Sequence, residues 1–150
     1  MADRNDFQAL AELRWEFKKE NRNYDDSFIE KYIEYLERET SLDRIKVFIA
    51  KADDVIVGSM NLIIIPKSPK PSALANRIGY LTNSYVRSDF RNKGLGEKIL
   101  KNVLEYSRNN RLEVIIVWPS ERARSLYERC GFNSDNDILE NIILPDEDDN

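Results

Sequence analysis

The sequence predicts an α/β fold of the α+β kind, a mixed β-sheet flanked by helices, and three observations carry that prediction. Two amphipathic helical patterns come first, a β-hairpin follows them, and a strand–helix–strand unit comes next. A hairpin makes antiparallel neighbours and a strand–helix–strand crossover makes parallel ones, so one sheet holds both kinds of pairing. The length of 150 residues, with 41% hydrophobic and 33% charged, suits a single domain over residues 1–150 with one sizeable core.

The first helix is expected from Asp3 to about Asn21, where Phe7, Leu10, Ala11 and Phe17 recur at helical spacing and Asp3 or Asn5 can act as N-cap. The second runs from Ser27 to Glu39, opened by a capping box of Ser27 with Glu30, and sets Phe28, Ile29, Tyr32, Ile33 and Leu36 along one stripe. Both stripes read as core, because a helix of a small domain buries one face. Lys46 to Ala50 and Val55 to Ile65 are β-prone runs joined by the turn residues Asp53 and Asp54. Gly58 inside the second run marks a bulge or a close backbone approach. Pro66 to Asn76, with three prolines, is expected to be a loop, either a flap over a site or a plain connection.

Arg77 to Val86 is the next strand and leads into a polar turn, Arg91 to Gly96, before a helix with Leu95, Ile99, Leu100, Val103 and Leu104 on its apolar side. That helix should end near Asn109 and Asn110, since Asn tolerates the left-handed cap. Leu112 to Trp118 reads as a strand buried on both faces and parallel to the preceding one. Pro119 closes it, Ser120 stands as N-cap of a helix from Glu121 to Cys130, and Gly131 stands as its C′ residue. Ile138 to Leu144 is expected to be a last strand, followed by an acidic tail at 145–150.

The turn has a chemical use. Where a glycine-rich loop feeds a helix N-terminus, free N–H groups and a partial positive charge suit a phosphate, and Arg91 and Lys93 add two cations there. The spacing fits neither a Walker A loop nor the dinucleotide fingerprint, whose third glycine falls on Ile99. Gly94 and Gly96 therefore support a phosphate-bearing ligand or a plain tight turn.

Composition removes several classes. The chain has no histidine, so His triads, His bases and His-ligated zinc are out, and a lone Cys130 gives neither a disulfide nor a cysteine-rich metal site. No metal is expected. A net charge of −4 argues against nucleic acid as a partner, and no apolar run is long enough to span a membrane or resembles a signal peptide, so a cytoplasmic location is expected.

Two stretches together resemble the GNAT superfamily of acyl-CoA-dependent N-acyltransferases. The pattern Gln/Arg-x-x-Gly-x-Gly/Ala is met by Arg91, Gly94 and Gly96, and the pattern Asn-x-x-Ala-x-x-Leu-Tyr-x-x-x-Gly-Phe by Ala123, Leu126, Tyr127, Gly131 and Phe132, with Ser120 where Asn is usual. The resemblance covers about Lys46 to Leu144, and the two leading helices fit it. It implies a splayed sheet whose fourth and fifth strands part to admit the pantetheine arm of acetyl-CoA. It implies that backbone N–H groups of Arg91, Asn92, Lys93, Gly94, Leu95 and Gly96 bind the pyrophosphate. The main chain of Tyr85 and Val86 would pair with the pantetheine amides and polarise the thioester carbonyl. Ser120 would touch the cofactor or serve only as N-cap. Tyr127 would protonate the departing thiolate, a role open to a weak acid such as a phenol; as a residue on an amphipathic helix it also reads as core.

The departures are specific. Many members carry a carboxylate on the strand before the pyrophosphate loop, but this chain has Leu81, Thr82, Asn83 and Ser84 there. Backbone, water, or an acid of the leading helices such as Glu30, Glu34 or Glu37 remain as bases. The family's opening strand is short or missing, with only Met1 and Ala2 before Asp3. The expected activity is transfer of an acetyl group from acetyl-CoA to a primary amine by direct attack in a ternary complex, since Cys130 has no histidine to activate it. A non-catalytic acyl-CoA-binding or regulatory module is the alternative. The acceptor would be a small-molecule or peptide amine, the acceptor site offers Trp15, Tyr24 and Tyr32, and the protein would be a monomer or homodimer.

Overall fold

A computed structural model of the chain describes residues 1–17, 27–72, 76–135 and 138–141. The expected helix over 18–21, Tyr24 and the acidic tail lie outside them. Asp3 caps a 3-10 turn, Arg4–Asp6: its carboxylate accepts the Asn5 N–H at 2.8 Å, while Asp6 accepts the Asp3 N–H at 3.1 Å. This reciprocal pair launches α1, Phe7–Phe17, which buries Phe7, Leu10, Ala11 and Leu13. Phe17 was expected in the core, yet it lies 40% exposed at the rim, its ring 4.9 Å from Tyr85. Helix α2, Ser27–Ser41, packs on α1, begins at the expected Ser27 and buries Leu36.

The sheet is β1 (Ile45–Ala52), β2 (Val55–Lys67), β3 (Asn76–Val86) and β4 (Ile115–Val117), in that spatial order. Asp53 and Asp54 both take left-handed φ, 48° and 62°, the turn whose twist suits a two-residue hairpin. Ala2 donates its N–H to the Val47 carbonyl at 2.8 Å, along the edge of β1 that no other strand covers among the described residues.

Four expectations need correction. Pro66 lies inside β2, paired with Arg77, not in a loop. Ile64 donates to the Arg44 carbonyl on the β1 side, so the nitrogen of Pro66, two residues on, faces the same side beyond the end of β1, and no ladder bond is lost. At the end of the helix α3 (Leu95–Asn109), the left-handed residue is Arg111 at φ 54°, not Asn. Leu112 closes that cap by donating to Ser107 at 2.9 Å, and the Asn110 side chain bonds the Tyr106 carbonyl instead. Strand β4 has three residues, all half-buried, because among the described residues no strand covers its outer edge. Residues 138–141 form no strand; Leu139 is 96% exposed and unpacked, and 142–144 lie outside the described residues.

Helices α1 and α2 cover one face of the sheet around Phe7, Leu13, Leu36, Ile45 and Val47. Helices α3 and α4 (Glu121–Arg129) cover the other around Phe48, Met60, Leu62, Leu81, Leu100 and Tyr127. The step that matters is in β3. It pairs in parallel with β4 only from Gly79 to Leu81, and directly afterwards it bulges, with Asn83 and Ser84 opposing Met60 and Asn83 at φ 50°. Beyond Leu81 the two parallel strands part.

Candidate active site

Next to the parting, β2 is bent. Ala50 pairs with Gly58 and Lys51 with Ile56, so Val57 is an extra residue that bends β2. A Cβ on Gly58 would meet the Tyr85 carbonyl at 3.1 Å, Val86 Cγ2 at 3.1 Å and Ile99 Cδ1 at 3.2 Å. The close approach expected at Gly58 is thus to the end of β3. It also fixes directions: the Tyr85 carbonyl points at β2, and Arg87 donates to Val57 at 2.9 Å. By alternation, the main chain of Ser84 and Val86 faces the parted edge. Sequence reasoning named Tyr85 and Val86; the geometry sets Val86 on the edge, adds Ser84, and turns Tyr85 away.

On the α3/α4 face, Tyr127 donates from its hydroxyl to Ser84 Oγ at 2.9 Å. Tyr127 is buried, 3% exposed, and Phe132 packs edge-on against its ring at 5.4 Å. Gly131, at φ 92°, folds the chain back so that Phe132 reaches it. Burial pushes the Tyr127 phenol above its ordinary value, and the bond to Ser84 opposes that only in part. A proton is therefore held between β3 and α4 at the mouth of the gap.

The glycine turn stands at the same mouth. After a 3-10 turn at Ser88–Phe90, Asn92 and Gly94 take φ of 59° and 74°. The first helical bond is from Lys98 to the Gly94 carbonyl at 3.0 Å, and no side chain caps α3. The N–H groups of Leu95, Gly96 and Glu97 precede that bond, as an anion requires. Gly96 admits the Leu126 side chain, which would lie 3.3 Å from a Cβ, so α3 and α4 are drawn together there. Arg91 donates from Nε to the Val86 carbonyl at 2.9 Å with its guanidinium over the Tyr85 ring, and Lys93 lies over the Phe90 ring. Ser120 occupies the N-cap of α4 but makes no capping bond through its side chain.

On the α1/α2 face, Asn61 and Asn83 each donate from Nδ2 to the Tyr32 hydroxyl oxygen at 3.2 Å. Arg14 stands beside them, its guanidinium above the Phe17 ring. Tyr85 donates to Glu16, which also accepts from Arg87 at 3.1 Å, and burial raises the Tyr85 phenol. Of the acids considered as bases, Glu37 is paired with Arg4 at 2.8 Å, and Glu30 and Glu34 are exposed. Trp15 packs on Phe28. Burial pushes the Cys130 thiol up, which disfavours a thiolate.

A larger cleft, about 640 Å³, is lined by Leu104, Leu112, Trp118 and Phe132 beside β4, and by Tyr127. It contains none of the turn residues Arg91 to Gly96, so size alone does not make it the transfer site. Among the described residues no set of three or more acidic or cysteine side chains converges as metal ligands, and no helix is long and apolar enough to cross a membrane.

The sequence profile of the acetyltransferase (GNAT) family matches residues 7–132. The chain belongs to that family. Among its relatives is a glucosamine 6-phosphate N-acetyltransferase of Trypanosoma brucei brucei, 30% identical over 89 residues, which is 59% of this chain and 58% of that protein. The alignment thus spans little more than half of the relative. In fold, a predicted acetyltransferase from Clostridium acetobutylicum solved with acetyl-CoA superimposes at a TM-score of 0.77 and 20% identity, over 94% of this chain and 92% of the other. The glucosamine-6-phosphate N-acetyltransferase of Arabidopsis thaliana gives 0.73 and 17%, over 95% of both chains. The parted sheet is the GNAT fold.

Proposed function

We propose that this GNAT protein transfers the acetyl group of acetyl-CoA to a primary amine by direct attack in a ternary complex. The observation that carries the reading is the Tyr127–Ser84 hydroxyl pair, 2.9 Å apart, where β3 leaves β4 beside the uncapped N-terminus of α3. Acetyl-CoA would lie at that mouth. Main-chain N–H groups from Asn92 to Gly96 would hold its pyrophosphate, the expected Arg91 N–H being taken up by the Ser88 carbonyl at 3.2 Å; Ser84 and Val86 would pair with the pantetheine amides, and the Ser120 hydroxyl would add a contact. Bound there, it supplies the thioester.

The chain's residues supply the rest. Tyr127 keeps its proton because burial disfavours the phenolate, and it gives that proton to the sulfur as the C–S bond breaks and the N–C bond forms. The amine's own proton leaves to water or solvent buffer, since β3 offers Thr82 and Asn83 rather than a carboxylate. The trypanosomal relative's glucosamine 6-phosphate makes a phosphorylated amino sugar one acceptor worth testing. That same lack of a carboxylate favours the second reading, a non-catalytic acyl-CoA-binding module. Release of free CoA thiol from acetyl-CoA with a panel of amines decides between them. We expect turnover with at least one amine; binding of acetyl-CoA without turnover on any would overturn the enzymatic reading.

A further inference from the structure

The polar cluster on the α1/α2 face is not used by the chemistry above. Its members come from four elements: Arg14 of α1, Tyr32 of α2, Asn61 of β2 and Asn83 of β3. Arg14, Tyr32 and Asn83 line, with Ser59, Tyr85 and the apolar Leu10, Leu13 and Phe17, a recess of about 10 Å³, room for one oxygen atom, and Asn61 stands behind Tyr32 as a donor to its hydroxyl. Asn61 is 2% exposed, and no buried side-chain nitrogen or oxygen among the described residues lacks a partner.

Counting donors and acceptors shows what the recess lacks. The Tyr32 oxygen accepts two N–H bonds, one from each asparagine, which uses both of its lone pairs. Its own proton remains to be donated. Arg14 adds a fork of N–H donors and no acceptor, and among the described residues no carboxylate pairs with it. Burial pushes the Arg14 guanidinium below its ordinary value, opposed by the nearby Tyr32 oxygen, so the cation is held partly out of water with no carboxylate partner among the described residues. With the Arg14 cation in its wall and both asparagine nitrogens turned to the Tyr32 oxygen, the recess carries a positive charge and the Tyr32 hydroxyl proton, which suits an oxyanion better than an ammonium.

We propose that Arg14 and the Tyr32 hydroxyl bind an oxyanion carried by the acceptor, a carboxylate or a phosphoryl group, so that the amines acetylated by this chain bear a negative charge. The inference rests on the amine-acetyltransferase reading. The cluster and the Tyr127–Ser84 pair share one bulge of β3, through Asn83 on this face and Ser84 on the other.

The test is calorimetric binding to the full chain, in the presence of CoA, of two matched pairs: phenylalanine against its carboxamide, and glucosamine 6-phosphate against glucosamine. CoA thiol release from acetyl-CoA is measured alongside. We expect one charged member to bind about tenfold more tightly than its neutral partner, and the pair that discriminates tells carboxylate from phosphate. In Arg14→Gln that ratio falls towards one with CoA affinity unchanged, and Arg14→Lys restores part of it. Tyr32→Phe, which removes only a hydroxyl, lowers the ratio by a few-fold and keeps the question answerable should Arg14→Gln unfold. Equal binding within both pairs, no binding by any member, or a ratio that survives both Arg14→Gln and Tyr32→Phe overturns the proposal. Charge-dependent binding without turnover would instead sink the transfer reading and leave the oxyanion site standing.

Discussion

The two faces of the β3 bulge are built from adjacent residues and differ in kind. On one, Ser84 meets a single partner, Tyr127, in an otherwise apolar setting of Phe132, Leu81 and Ile99. On the other, Asn83 bonds Tyr32, which also accepts from Asn61, and Arg14 lines the same recess. A lone buried phenol is suited to hold a proton and release it once. A polar cluster with a cation is suited to select what enters. The positive φ of Asn83 lets consecutive side chains serve both purposes, and it predicts that damage to the two faces will separate in the kinetics.

The largest effect is expected at Tyr127. Tyr127→Phe removes the proton but keeps the ring against Phe132, so kcat should fall about 100-fold or more while acetyl-CoA affinity holds. Steady-state rates and equilibrium binding check this, and an unchanged kcat would remove the acid assignment. The pH profile gives a second reading. Because burial raises the Tyr127 phenol, the acid form persists past the ordinary tyrosine value of about 10. Loss of rate from its ionisation belongs above that pH, and a limb near 8 must come from another group.

Asn83 tests the other face. Asn83→Gly keeps the left-handed backbone without strain and deletes only the amide that donates to Tyr32. The acceptor KM should rise about threefold to tenfold, the worth of roughly one hydrogen bond, with kcat and acetyl-CoA KM within about twofold. If Asn83→Gly instead lowered kcat as Tyr127→Phe does, the two faces would be one functional unit and the comparison would fail.

The same contrast explains what could be read from the sequence. The Tyr127 face was legible because its parts are local: Tyr127, Gly131 and Phe132 lie within six residues, and Gly94 and Gly96 within three. Helix spacing and left-handed glycine positions are properties of short segments. Ser84 was missed as Tyr127's partner because only the bulge turns it to that face. The Arg14 cluster was missed because four separate elements bring it together, and no spacing in the chain reports that. Arg14 left one faint signal, a cation amid the apolar positions Leu10, Leu13 and Phe17 of a core helix. Pro66 and residues 138–141 misled for a related reason. Whether a proline fits a strand, or an apolar run forms one, depends on what lies beside it: the end of β1 in one case, no paired strand in the other.

The smallest effect is expected at Ser120, and there stability and binding should part company. An N-cap serine replaced by alanine ordinarily costs about 1 kcal/mol through the lost bond to the first turn. Here that bond is not made, so Ser120→Ala should leave the thermal midpoint within about 2 °C of the parent. The proposed contact of its hydroxyl with the cofactor predicts a rise of about twofold to fivefold in the acetyl-CoA KM. A drop in midpoint with no change in KM would make Ser120 a helix cap after all. The cofactor face would then rest on main chain and Tyr127 alone, and the contrast with the side-chain-built acceptor face would be sharper still.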